Sequence, residues 1–254
     1  MLIPLGILAS AGGGWTPAEL TNVAAWYDAS DTATITSSSN LVSQWNDKSA
    51  NAKNLVQASS GNQPSTGLST QNGRNLIQFA DSKALQSTGT AGYWAPFSSQ
   101  KTLIAIACIP ETNNGNFMST NSKASDISGF EIEWQDTNQA KMLVASSSAY
   151  VVINQQNGTI TNRSNFAVFT YVTDPANGTA ANRSEVYENN STATKANTQT
   201  ASPDTTVSSS LLMGMTDASG VSTKVGEIVM VTGADATEDN RLLLKTYLMS
   251  KWGV

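Results

Sequence analysis

From residue 76 onward the chain is cut into short apolar segments by turn residues, and this rhythm narrows its architecture more than any other feature. Segments 76–85, 101–109, 141–144, 150–154, 166–172, 183–187 and 210–215 each have strand length, and Asn-Gly, Asp-Pro and Ser/Thr-rich stretches part them. Short polar side chains reverse a backbone by bonding to it, and Gly and Pro set the angles a turn needs. Many short strands with turn signals at this density predict a β sandwich or barrel. The run Leu103-Ile-Ala-Ile-Ala-Cys-Ile109 is continuously apolar, so it suits a central strand covered on both faces. A chain of 254 residues has enough surface to bury for one large domain of this kind.

Composition removes several functions. There is no His, which takes away the usual general base and the usual metal ligand, so zinc chemistry and Ser-His-Asp hydrolysis are excluded. The single Cys108 lies inside the central apolar run and reads as a buried structural thiol. Charged residues are only 13% of the chain, whereas Ser, Thr and Asn fill about a third of it. With a net charge of −5 and no basic cluster, nucleic acid and anionic membranes are not expected partners.

Residues 41–57 read as a sheet corner. Trp45 fills a core position, and the side chains of Asn46, Asp47, Ser49 and Asn51 bond the turning backbone. At the other end, Thr237 caps a helix whose first turn holds Glu238 and Asp239, whose last turn holds Lys251, and which stops at Gly253. Leu243, Leu244, Tyr247, Leu248 and Trp252 give that helix one apolar stripe. Thr16-Pro17-Ala18-Glu19 predicts a helical turn, and Val23 to Ala29 a strand with Trp26 and Tyr27 on opposite faces.

These residues also carry a resemblance. Trp15-x-Pro17-x-x-Leu20, then Ala25-Trp-Tyr-Asp-Ala-Ser-Asp31, then Val42-Ser-Gln-Trp-Asn-Asp-Lys-Ser-Ala-Asn-Ala-Lys-Asn54, resembles the N-terminal half of concanavalin A-like, laminin-G-type jelly-roll domains. Gly226-Glu-Ile-Val-Met-Val-Thr-Gly233 with the helix after it is similar to the closing strand and terminal helix of that group. The resemblance implies an all-β, concanavalin A-like antiparallel β-sandwich (jelly roll) over residues 15–254, with a C-terminal helix. One fold hosts many functions, so it implies activity only weakly.

Three sets of residues are candidates for a site. Tyr93, Trp94 and Phe97 lie in a Gly-, Ser- and Pro-punctuated connection, where aromatics either form a stacking platform for a sugar ring or plug a sandwich edge. Asp28, Asp31 and Asp47 either hold a Ca²⁺, as in some jelly-roll domains, or serve as turn formers. No other cofactor is expected. Glu131 and Glu133, with Asp136 beyond them, resemble the acidic strand of retaining glucanases that share the fold. Here the order Glu-Ile-Glu-Trp-Gln-Asp departs from that motif, and a solvated strand face beside Lys141 is the reading we favour.

Residues 1–14 form an apolar, uncharged stretch ending in three glycines. No Lys or Arg precedes the apolar run, and Pro4 and Gly6 interrupt it, which opposes a signal peptide. It is too short to cross a bilayer. Leu2, Ile3, Pro4, Leu5, Ile7 and Leu8 are expected to form an extended N-terminal docking arm on a glycine hinge, covered by another protein chain. The opening resembles those of phage virion proteins that begin with a Leu-Pro-Leu-Gly-like peptide. That resemblance implies a non-enzymatic bacteriophage structural protein on the outer surface of head or tail: a tail fibre or adsorption protein, or a head decoration or head fibre. Other virion proteins, further copies of the chain and a host surface polysaccharide are its expected partners. A free carbohydrate-binding module and a glycoside hydrolase using Glu131 and Glu133 are the alternatives.

Overall fold

The computed structural model describes residues 14–80, 82–111, 115–120, 129–135, 139–145, 152–192, 194–195, 207, 210–214 and 222–254. The arm residues Leu2 to Leu8, and Asp136 of the acidic strand, lie outside the described residues. In chain order the first strands are β1 (Val23–Asp28), β2 (Ile35–Ser38), β3 (Leu41–Trp45), β4 (Leu55–Val56), β5 (Ser65–Gln71), β6 (Arg74–Phe79) and β7 (Ala84–Ser87). A short helix α1 (Pro96–Ser99) leads into β8 (Thr102–Ile109), β9 (Gly115–Ser119), β10 (Phe130–Gln135), β11 (Gln139–Ala145) and β12 (Val152–Thr159). Then come β13 (Ala167–Thr173), β14 (Ser184–Glu188), β15 (Thr194–Lys195), β16 (Leu212–Gly214), β17 (Thr223–Thr232) and the terminal helix α2 (Glu238–Trp252).

Every pairing among the described residues is antiparallel, and the strands form two packed layers of a sandwich. In the first layer β17 lies between β8 on one side and β1 and β6 on the other, and β8 continues through β13 and β14 to β15. In the second layer β4, β7, β16, β9, β10, β11 and β12 follow one another. Strands β2, β3 and β5 join the two.

The alternation of β8 shows why this architecture suits the sequence. Ile104, Ile106 and Cys108 point between the layers, against Phe117, Ile132, Trp134 and Phe169. Leu103, Ala105 and Ala107 point the other way, under Leu244, Leu248 and Trp252 of α2. The central run is therefore covered on both faces, as expected. The small alanines let the helix approach. At Gly226, in β17, an added Cβ would lie 2.8 Å from the Trp252 indole.

The corner forms as the sequence predicts at Asp47, Ser49 and Asn51, whereas the Asn46 side chain accepts from Gln44 Nε2 at 2.6 Å and not from the backbone. Trp45 is fully buried. Asp47 Oδ1 accepts from the backbone N–H of Trp26 (2.9 Å) and Ser49 (2.8 Å), and its Oδ2 accepts from Lys53 N–H at 2.9 Å. Asn51 Nδ2 donates to the Val23 carbonyl at 2.8 Å. Trp26 and Tyr27 face opposite clusters. Helix α2 has its Thr237 cap, which accepts from Asn240 N–H at 3.2 Å, and a left-handed Gly253 stop with φ 69°. Its buried stripe differs from the expected one: Arg241 is buried, whereas Leu243 and Tyr247 are only half-buried.

Candidate functional site

The aspartates do not converge on a metal geometry. Asp28 Oδ2 is 3.1 Å from Lys48 Nζ and 2.8 Å from Lys251 Nζ, and Asp31 Oδ2 is 2.8 Å from the same Lys48. Asp47 spends both oxygens on the corner backbone. Two lysines thus supply the positive charge that a cation would bring, and among the described residues no group of three metal-ligating side chains comes together. Burial alone would push the Asp28 carboxyl up, but hydrogen bonds from Lys251 and Ser30 and the charges of Lys251 and Lys48 hold it below its ordinary value.

Beside them lies a group that the sequence did not single out. Glu227 sits in β17 among apolar residues, is fully buried, and carries two indoles, a phenol and an ammonium. Trp26 Nε1 (2.7 Å) and Tyr247 Oη (2.9 Å) donate to Oε1, while Lys251 Nζ (2.7 Å) and Trp252 Nε1 (3.1 Å) donate to Oε2. Burial, then the Asp28 charge, push its carboxyl up against the pull of Lys251 and Trp26. Three of the four donors belong to α2, so this carboxylate fastens the helix to the sheet. A lone Glu in an apolar strand was the available signal, since such a group stays buried only when paired.

The aromatic connection divides. Trp94 and Phe97 are fully buried, with Trp94 Nε1 donating to Ser87 Oγ at 3.0 Å and the Phe97 ring packed at a tilt against Phe130, 5.4 Å between centroids. Neither presents a face to solvent, so they plug the sandwich edge and cannot stack on a sugar. Tyr93 is half-buried, and its hydroxyl donates to the Ala24 carbonyl at 2.6 Å. Burial, then the Asp47 charge, push that phenol up to about 12. With Val23, Ala24, Pro96 and Phe97 as apolar walls, Tyr93 lines a cleft of about 210 Å³ whose polar residues are Thr21, Asn22, Asn51 and Thr232. Among the described residues, the side chains of Thr21, Asn22 and Thr232 find no hydrogen-bond partner. Among the described residues, none that lines this cleft is charged.

A second cleft of about 380 Å³ lies between β13, β14 and the start of α2, lined by Asp174, Asn177, Asn182, Glu185, Tyr187 and Glu238, with Lys101 and Val172. The Arg241 guanidinium covers one face of the Tyr187 ring at 3.7 Å and is itself paired with Glu238 at 2.5 and 2.7 Å. The Tyr187 hydroxyl donates to Glu185.

Glu131 and Glu133 share the face of β10 opposite to buried Phe130, Ile132 and Trp134. Glu133 stands across from Lys141 and pairs with it at 3.0 Å, and Lys141 is itself buried, so this face is less solvated than the sequence suggested.

Comparison with known proteins bears on the fold. No family model matches the chain, and neither does any curated protein sequence. Among solved structures it is similar to an arabinofuranosidase complexed with arabinofuranosyl-alpha-1,2-xylobiose, at 14% identity and TM-score 0.53, over 81% of this chain and 50% of that one. It is also similar to the Trypanosoma rangeli sialidase in complex with a difluoro-KDN, at 10% identity and TM-score 0.56, over 97% of this chain and 36% of that one. The chain thus spans half or less of the length of these proteins. At such identity the likeness is one of architecture: the chain is a jelly-roll-like antiparallel β sandwich closed by a C-terminal helix.

Proposed function

We propose that the chain is a non-enzymatic structural protein of a bacteriophage virion, of tail fibre, adsorption, head decoration or head fibre type. Its N-terminal arm anchors it to other virion proteins, and its sandwich turns the Tyr93 cleft toward a host surface glycan. The cleft carries the binding part of this reading. An apolar wall with two aromatics, Tyr93 and Phe97, ringed by hydroxyl and amide side chains of which those of Thr21, Asn22 and Thr232 have no partner among the described residues, matches the mixed apolar and hydroxylated surface of a sugar. The virion part rests on the opening of the chain and its resemblance to phage proteins. The sugar-handling enzymes among the structural neighbours are consistent with a glycan surface, although they share only architecture with this chain.

A glycoside hydrolase through Glu131 and Glu133 is the second reading, and their shared strand face favours it. Against it stands the pairing of Glu133 with Lys141, which engages one of the two carboxylates that hydrolysis needs. Retention of the full chain on host polysaccharides, with reducing-sugar release followed in parallel, separates the two. Binding without release is expected, and Asn22→Ala should weaken it by roughly tenfold, the worth of one hydrogen bond. Sugar release abolished by Glu131→Gln with Glu133→Gln would establish the hydrolase instead. For the virion part, removal of residues 1–14 should leave a folded sandwich that no longer joins particles; normal incorporation of the truncated chain would refute the anchor.

A further inference from the structure

Thr21 and Asn22 carry two of the free polar side chains of the Tyr93 cleft, yet they belong to no helix or strand: they join the helical turn Pro17–Glu19 to the start of β1. Their backbone is held from far along the chain. Asp235 lies between the end of β17 and the Thr237 cap of α2, and its Oδ2 accepts the N–H of Thr21 at 2.8 Å and that of Asn22 at 2.7 Å. The Asn22 carbonyl accepts in turn from the N–H of Thr232 at 3.2 Å. Both backbone groups of Asn22 are therefore spent, and its side chain is left for a ligand.

Asp235 is itself fixed. Its carbonyl accepts from Thr237 N–H and from Asn240 Nδ2, both at 2.8 Å, at the root of α2, and Glu227 fastens α2 to the sheet. The carboxylate does not line the cleft, so it reaches a ligand only through the rim. Two consecutive N–H groups on one oxygen fix how residues 21 and 22 are turned, and with that where their side chains start from. Ordering the backbone of one loose residue on binding would weaken affinity by roughly five- to thirtyfold. A rim ordered beforehand avoids that loss.

We infer that Asp235 is the positioning residue of the Tyr93 cleft: it holds Thr21 and Asn22 in place before a sugar arrives, so that sugar hydroxyls meet the Asn22 amide without first ordering the chain. This rests on the glycan-binding reading of the cleft and adds to it the group that sets its rim. A purely structural role, tying the N-terminal turn to α2, would change stability and leave the worth of Asn22 to a ligand untouched. Both bonds end on Oδ2, and among the described residues no bond reaches Oδ1. An asparagine with its amide oxygen at the Oδ2 position therefore keeps both acceptors.

The test is affinity electrophoresis of the full chain through gels that carry host cell-surface polysaccharide, dextran or galactomannan, beside melting curves. Asp235→Ala should weaken binding by roughly tenfold to a hundredfold. Its melting temperature should move by no more than about 4 °C, because the two N–H groups are exposed and water can take them. Asp235→Asn should bind as the parent chain does. In a double-mutant cycle the losses from Asp235→Ala and Asn22→Ala should fall short of additive by about threefold or more, since Asn22 contributes fully only where it is held. Asp235→Glu keeps the charge but sets the oxygen one methylene further out, so it should bind more weakly than Asp235→Asn, and this pair decides the matter if Asp235→Ala fails to fold. Undiminished binding by Asp235→Ala, additive losses in the cycle, or Asp235→Asn no better than Asp235→Glu would overturn the inference and leave the glycan reading standing. No retardation of the parent chain in any of the gels would overturn both.

Discussion

Glu227 shows how one buried side chain can decide the fit of a whole element. Its two oxygens accept from Trp26, Tyr247, Lys251 and Trp252, all donors, so the site suits an anion with nothing to donate. Glu227→Gln keeps the shape but turns an amide N–H₂ toward one pair of donors and leaves Lys251 with less opposing charge. We expect a loss of about 3 to 5 kcal/mol, the range for breaking a buried ion pair, read from the denaturant midpoint. A change no larger than that of a surface substitution would show that α2 is held by its apolar stripe alone. In acid the neighbouring carboxylates act in opposite directions. Asp28, with a lowered folded-state value, contributes stability that is lost as pH falls through the acid range, whereas the raised value of Glu227 favours the folded state on acidification. The two partly offset one another.

At the scale of elements, α2 and its bed depend on a missing side chain as much as on those present. Gly226 has no Cβ, and the Trp252 ring occupies that space at 2.8 to 2.9 Å from where one would be. Gly226→Ala should therefore cost about 1 to 3 kcal/mol, as overpacking does, without loss of secondary structure by circular dichroism. The far end of α2 is closed by the β5–β6 turn, where Gln71 donates to the Trp252 carbonyl and Asn72 and Arg74 both donate to that of Lys251. Much of this element was legible in sequence, because caps are local: Thr237, the acidic first turn and Gly253 all sit where their chemistry is used. The corner at Asp47 was legible for the same reason. Burial of Arg241 was not, since it depends on Tyr187 and Thr170 arriving from other strands. Trp94 and Phe97 misled for a related cause. A Gly- and Pro-punctuated connection looks exposed until the sheet it folds over is known, and of the proposed aromatic platform only Tyr93 keeps exposed surface, while the buried Phe97 backs the same cleft.

For the molecule as a whole, alkaline pH is the condition that loads the fold most evenly. Burial pushes Tyr27, Tyr171, Tyr187 and Tyr247 above their ordinary values and Tyr93 up to about 12. In the unfolded chain these phenols lose their protons near pH 10, so above that pH the folded state binds more protons and stability falls as pH rises. Tyr27 and Tyr171, which have no exposed surface, should alone remove roughly 3 kcal/mol per pH unit; the more exposed rings add less. Urea midpoints that stay constant from about pH 9 to about pH 11 would contradict the packing described for these rings. One thiol gives this unfolding a clock. Cys108, the chain's one cysteine, sits in the middle strand of the first layer with no exposure, and burial pushes its ionisation far from neutral pH. A thiol reagent can reach it only after β8 has parted from β13 and β17, so the rate of its labelling in the native protein measures how often the sandwich comes fully apart.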